Sequence, residues 1–124
     1  MKVIKTDNAP QAIGPYSQAV KSGGFVFCSG QIPLRIDGTL VDADVGQQSI
    51  QVMNNLKAVL IAAGSGFEKV VKTTIFLDSM DDFVAVNEIY AGYFDGENKP
   101  ARATVEVGRL PKGVNVEIDC IAEA

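Results

Sequence analysis

The chain carries two short runs in which residues able to do chemistry alternate with apolar ones. In Ala101-Arg102-Ala103-Thr104-Val105-Glu106-Val107 the polar positions are Arg102, Thr104 and Glu106. Side chains of a strand point alternately to opposite faces, so these three share one side. In the second run Val114, Val116, Ile118 and Cys120 fill one side, and Asn115, Glu117 and Asp119 the other. Read as an antiparallel pair closing around Leu110 and Pro111, the runs set Thr104 across from Glu117 and Arg102 across from Asp119, with Arg102 diagonal to Glu117. One patch then gathers a guanidinium, a hydroxyl and two carboxylates within roughly 5–8 Å. On an open surface such a patch is a solvated salt-bridge ladder, worth about 0–1 kcal/mol. At a subunit boundary the same groups are desolvated and can meet a ligand.

What is missing narrows the chemistry. The sequence has no histidine, which removes Ser–His and Cys–His nucleophile systems and His-ligated zinc. It has no GxxxxGKS phosphate loop and no GxGxxG after a strand. Proton transfers in an enzyme of this composition fall to carboxylates, tyrosine, backbone groups and water. Cys28 and Cys120 lack CxxC spacing and read as two free thiols of a reducing compartment.

Composition sets the outer limits. The 124 residues make one domain, 1–124, long enough for a real core. With 47% hydrophobic and 21% charged residues the chain reads as a soluble globule rather than a disordered one. A net charge of −4 without a Lys/Arg run offers no footprint for nucleic acid. No apolar run approaches membrane-spanning length, and Met1-Lys2-Val3-Ile4-Lys5 does not resemble a signal peptide. The cytoplasm is the expected location.

The elements that must position these residues follow an α+β order. Residues 17–22 and 25–29 flank Gly23-Gly24, a two-residue hairpin signal. Asp37-Gly38 marks a second tight turn. From Asp44 the apolar residues recur at helical spacing, through Val52, Met53, Leu56, Val59, Leu60 and Ala63. Asp44 with Gln47 resembles a capping box, and Gly64 is placed as the residue after the helix end. Residues 70–77 read as a strand. Ser79 to Asp82 open a second helix that runs through Phe94. Strands over about 101–107 and 114–121 close the chain.

Counting layers gives an inference about assembly. Residues 25–28 and 70–77 are apolar on both faces, which calls for two covering layers. Two helices cover only one face of so wide a sheet, so the other face is expected to meet another subunit. Two more polar residues sit in apolar settings. Asn87 falls within the inward stripe Phe83, Val86, Tyr90 of the second helix, where an asparagine ordinarily satisfies nearby backbone groups. Tyr16 follows Gly14-Pro15, which either aims its phenol or simply packs it.

The segments "NAPQAIGPYSQAV", "SGQIPL", "NLKAVLIAAG", "VVKTTIFL", "FVAVNEIY" and "PARATVEVGRLPKGVNVEIDCIA" together closely resemble the Rid/YjgF family of reactive-intermediate (imine/enamine) deaminases over nearly the full length. The resemblance implies a chorismate-mutase-like fold, a mixed sheet with two main helices on one face, assembled as a homotrimer with clefts between subunits. It implies hydrolysis of 2-imino acids such as 2-iminobutanoate and 2-iminopropanoate to 2-oxo acids and ammonia, with no metal and no cofactor. Arg102 matches the family arginine that grips the substrate carboxylate, and Glu117 the glutamate that positions the attacking water. Tyr16 and Asn87 match residues lining that cleft, Tyr16 on the catalytic side. Ser29, Gly30 and Gln31 match a segment whose backbone approaches the ligand, and Thr104 stands where many relatives carry cysteine. A different class also uses Arg102: a trimer that binds small carboxylic or 2-oxo acids without turnover. RNA cleavage would require a basic groove that an acidic chain does not offer.

Overall fold

A first helix, α1 (Val45–Ala62), forms where the spacing predicts it. The Asp44 carboxylate accepts from the Gln47 backbone N–H at 2.9 Å, satisfying one of the unpaired donors of the first turn. Gly64, at φ 77°, supplies the left-handed residue that ends it. Val52, Met53, Leu56, Val59 and Leu60 are buried along one stripe. Truncating Leu56 to alanine there costs about 2–5 kcal/mol.

The computed structural model describes Met1–Ala124. Before α1 come β1 (Lys2–Ile4), β2 (Ala19–Ser22) and β3 (Phe25–Gln31). After it come β4 (Val70–Leu77), α2 (Phe83–Ala91), β5 (Ala101–Glu106) and β6 (Val116–Glu123). The strands form one mixed sheet in the order β1-β2-β3-β6-β4-β5, antiparallel except for the β4–β5 pair. Gly23 and Gly24 turn the β2–β3 hairpin at φ 61° and 84°, as the sequence predicts. The Asp37-Gly38 turn closes between Leu34 and Leu40, which form an isolated bridge. β1 was not expected.

Both helices share one apolar cluster with Val26, Cys28, Ile75, Leu77, Val116 and Ile118, so both cover the same face of the sheet. The opposite face has no helix. There Phe25, Phe27 and Val105 are 39%, 42% and 41% exposed; Phe27 sits in register with Ile121 and Val105 with Phe76. The layer count made from the sequence is therefore right about where the helices lie.

The second helix is shorter than expected. Ser79 Oγ accepts from the Asp81 N–H and caps a 3₁₀ turn, Met80–Asp82, before α2 begins at Phe83. α2 ends at Ala91, leaving Tyr93 and Phe94 to pack beyond it, edge-on against Phe67.

The expected hairpin between the last two strands does not form. β5 follows β4 through α2 and lies parallel to it at the sheet edge, with Arg102 beside Thr73 and Thr104 beside Ile75. β6 pairs with the other side of β4, setting Glu117 beside Phe76 and Asp119 beside Thr74. The connection 107–115 is long enough to carry the chain past β4, and its 3₁₀ turn at Pro111–Gly113 bends with Lys112 at φ 56°. Arg102 is therefore across from neither Asp119 nor Glu117.

Candidate active site

β5 aims Arg102 and Thr104 at the helix side of the sheet. Their register partners Thr73 and Ile75 are each 1% exposed in the core. Arg102 Nη1 donates to Asn87 Oδ1 at 2.7 Å. Its guanidinium lies 5.0 Å from the Tyr90 ring centroid and 5.7 Å from that of Phe83. Phe83, Asn87 and Tyr90 recur at helical spacing and so present one face of α2 to the strand. Two aromatic rings and an amide hold the guanidinium flat and fixed, a role lysine could not fill. Tyr90 is anchored in turn by a 2.8 Å hydrogen bond with Thr73 Oγ1. Burial pushes the Tyr90 phenol above its ordinary pKa, against the opposing pull of Thr73 and Arg102. Thr104 Oγ1 is buried without a hydrogen-bond partner.

Beside this group lies a pocket of about 370 Å³, lined by Asn87, Tyr90, Ala91, Phe94, Lys99 and Arg102 among others. Phe83 and Tyr90 had read as packing, and their spacing with Asn87 was the signal that they serve the arginine. Asn87 is only half-buried and satisfies a guanidinium, not the backbone.

The second group gathers on the helix-free face. Between the pairs Cys28–Cys120 and Gln31–Ile118, the two residues Ser29 and Gly30 oppose Asp119 alone, which is a β-bulge. The bulge brings Gly30 under the Glu117 carboxylate: a Cβ at Gly30 would stand 2.7 Å from Glu117 Oε2. Glycine is required there by close approach rather than by backbone angle. Ser29 Oγ donates to Ser17 O at 2.5 Å, and its N–H donates to Gln18 O. Gln18 in turn holds Thr6 and Pro10, so the 6–18 segment is tied to the bulge. Tyr16 is on that segment, not at a strand start. Its hydroxyl accepts from the Ile13 N–H at 3.3 Å, and its ring is 49% exposed. Tyr16, Gly30 and Gln31 line one depression of about 30 Å³.

Burial, and then the neighbouring Asp119 charge, raise the Glu117 pKa above the usual carboxylate value. Asp119 is raised as well, by burial first, with Thr74 and Lys72 opposing. No group of three His, Cys, Asp or Glu residues lies together in a way that could hold a metal ion.

The residues singled out from the sequence thus fall into two clusters rather than one. Arg102, Asn87 and Thr104 lie on the helix side at the β5 edge. Glu117 lies on the other face over Gly30 of the bulge, with Ser29 and Gln31 flanking Gly30 and Tyr16 on the loop tied to it; Gln31 itself is buried in register with Ile118. The patch of Arg102, Thr104, Glu117 and Asp119 expected from a hairpin does not exist within one chain, because β4 separates the strands and the alternation puts the two pairs on opposite faces.

The family model described as endoribonuclease L-PSP matches residues 6–124. The 2-iminobutanoate/2-iminopropanoate deaminase of Escherichia coli strain K12 is 47% identical over 123 residues, covering 98% of this chain and 96% of that protein. A crystal structure of a Rid-family protein of unknown function from Yersinia pestis superposes with a TM-score of 0.96 at 52% identity, over 99% of this chain and 98% of that one. The chain belongs to the Rid/YjgF family. Another member of the same fold, Escherichia coli TdcF with bound serine, superposes with a TM-score of 0.94 at 42% identity over 100% of this chain and 99% of that one. The α+β architecture, a mixed sheet with two helices, is the one these Rid-family neighbours share. No helix of the structure is long and apolar enough to cross a membrane.

Proposed function

We propose that the protein is a cytoplasmic homotrimeric deaminase that hydrolyses 2-imino acids, 2-iminobutanoate and 2-iminopropanoate among them, to 2-oxo acids and ammonia. The observation that carries this reading is the division of the site into two clusters on opposite faces of one sheet. An exposed, rigidly held guanidinium and a carboxylate of raised pKa cannot serve one small molecule within a chain. In a closed ring the same surface patches meet head to tail, so the Arg102 cluster of one copy faces the Glu117 cluster of the next. The apolar helix-free face supplies the surface that such a ring would bury. The likeness to an E. coli deaminase and to a protein with bound serine supports a small ligand of amino-acid type.

Each cluster then has a job. Arg102 holds the substrate carboxylate through paired charge-assisted hydrogen bonds, and Asn87, Phe83 and Tyr90 keep its fork in place. Thr104 lies two residues along the same face, its hydroxyl buried beneath the site rather than lining the pocket. Across the boundary, Glu117 takes a proton from a water that attacks the imine carbon, forming the C–O bond as the C=N π electrons move to nitrogen. Glu117 returns that proton to the nitrogen, giving a neutral carbinolamine. Its C–N bond then breaks as the hydroxyl proton passes by way of Glu117 to the nitrogen, so ammonia leaves and the remaining oxygen becomes the 2-oxo group. Gly30 leaves room for the Glu117 carboxylate, and Tyr16 with the Ser29–Gln31 backbone closes that side. An imine is already electrophilic, so orientation and one base suffice for useful acceleration without a metal or cofactor.

The test adds the protein to imine formed in situ by a dehydratase acting on threonine and follows 2-oxobutanoate release. The parent should shorten the imine lifetime. Arg102→Lys should raise KM about 10- to 100-fold, the size of a lost charge-assisted hydrogen bond. Binding of 2-oxobutanoate without any acceleration would leave a carboxylate-binding protein and end the deaminase reading.

A further inference from the structure

The pocket beside Arg102 holds a second cation. Lys99 Nζ donates to Phe94 O at 2.9 Å and to Gly96 O at 3.0 Å. An ammonium has three donors, so one is left to point elsewhere. Arg102 is likewise bonded to a neutral acceptor, the Asn87 amide oxygen. Neutral partners fix both cations in place without cancelling their charge. The residues lining the pocket include no carboxylate, although acidic residues outnumber basic ones, 15 to 11, in the chain. A carboxylate bound at Arg102 answers only one of the two charges. The same pocket is lined by Tyr90, Ala91 and Phe94, an apolar surface suited to methylene groups. A volume of about 370 Å³ is at the small end of ligand sites, which run from about 300 to 1,000 Å³. A short dicarboxylate fits that size, charge and polarity.

We infer that the site prefers 2-imino acids whose side chain ends in a second carboxylate, and that Lys99 is the residue that binds that carboxylate. The inference rests on the deaminase reading for the reaction and on the pocket for the preference. The reactions that supply such imines are oxidations or dehydrogenations of acidic amino acids, because these place C=N next to the first carboxylate and leave the side-chain carboxylate intact. Nothing in the hydrolysis touches the second carboxylate, so Lys99 is a specificity residue and not a catalytic one.

Calorimetry with stable 2-oxo acids reads the preference without turnover. The parent should bind 2-oxoglutarate at least about tenfold more tightly than 2-oxobutanoate, the least that one charge-assisted hydrogen bond contributes. In Lys99→Met that ratio should fall to about one, and Lys99→Arg should retain most of it. Equal affinities in the parent overturn the inference. So does a Lys99→Met variant in which both ligands weaken alike, since Lys99 would then only tie down the 94–99 loop. Rates on imines made by an amino-acid oxidase from glutamate and from 2-aminobutyrate provide the second arm, where the preference should appear in KM and not in kcat. A parent that discriminates in binding yet hydrolyses neither imine overturns the deaminase reading while the dicarboxylate preference stands. A parent that hydrolyses the monocarboxylic imine and does not discriminate overturns the preference alone.

Discussion

Arg102 on β5 and Glu117 on β6 lie on opposite faces of the sheet, with β4 between their strands. Arg102 is held from the helix side by Asn87, and the Glu117 carboxylate covers Gly30 on the side without helices. If both act on one substrate, they do so from different copies of the chain. Two inactive variants should then repair each other. Arg102→Ala and Glu117→Ala homotrimers should each be inactive. Subunits unfolded, mixed in equal amounts and refolded should regain about a quarter of the parent rate, because each boundary needs one intact residue from either side. No recovery in mixed trimers of confirmed composition would place both residues in one chain's site or remove one of them from the reaction.

A second expectation concerns the helix-free face. Phe27 is 42% exposed there and pairs in register with Ile121. A charge at its centre does not disturb the core between sheet and helices, but a buried, unpaired charge at a subunit boundary is costly. Phe27→Asp should therefore give a folded monomer with parent-like circular dichroism and no turnover. Light scattering decides the point: a trimer that persists in Phe27→Asp would show that another surface makes the contact.

How much of this was legible beforehand depended on whether the relevant signal was local. Asp44, Gly64 and the Gly23-Gly24 turn announced themselves, because a cap or a turn is fixed by a few adjacent residues. The alternation of Arg102 with Ala101 and Ala103 was also read correctly as a strand. Its partner was not. A parallel strand and an antiparallel one show the same alternation, and nothing local in 107–115 says whether the chain folds straight back or passes over a neighbour. That one long-range choice moved Arg102 away from Glu117 and set the two on opposite faces of the sheet. The two groups that replace the expected single patch are each built locally: one on a single face of α2 with the strand it covers, the other on a bulge and the loop it holds.

The Tyr90–Thr73 hydrogen bond offers a test of the platform under Arg102. Thr73 is 1% exposed, and its hydroxyl is paired with the Tyr90 hydroxyl at 2.8 Å. Tyr90→Phe keeps the ring and leaves the Thr73 hydroxyl without that partner, at a cost of about 1–3 kcal/mol. Urea unfolding should show that loss with an unchanged slope. The double variant Tyr90→Phe/Thr73→Val should recover part of it, since both polar groups are then gone. Additive losses in the double variant would show that the bond contributes nothing.

Gly30 gives an independent handle on Glu117. A methyl group at this position would stand 2.7 Å from Glu117 Oε2, closer than real contacts allow. The carboxylate is the movable partner, so Gly30→Ala should fold and displace it. Turnover should fall by a factor approaching that of removing the carboxylate, while affinity for 2-oxobutanoate changes little. A Gly30→Ala enzyme with the parent rate would mean that the position of Glu117 over the bulge does not matter to catalysis.

Glu117 itself makes two linked predictions about pH. Burial first, and Asp119 second, raise its pKa in the folded protein above the ordinary carboxylate value. The folded state therefore binds this proton more tightly than the unfolded chain, and stability falls as pH rises between the two pKa values. Glu117→Gln removes that penalty. Its stability advantage over the parent should be absent below the ordinary glutamate pKa, about 4.3, and should grow to a plateau above the raised one. Catalysis runs the other way, since only the ionised form can accept a proton from water. The parent rate should rise with pH along a limb displaced above the ordinary glutamate value. Glu117→Gln should lose that limb and about 10²- to 10⁴-fold in turnover. Binding of 2-oxobutanoate should hold or tighten, because a negative charge near the ligand is gone. Thermal unfolding and imine hydrolysis, each followed across pH for parent and variant, test both halves together. A variant more stable at neutral pH and equally fast would keep the buried carboxyl but take the base away from Glu117.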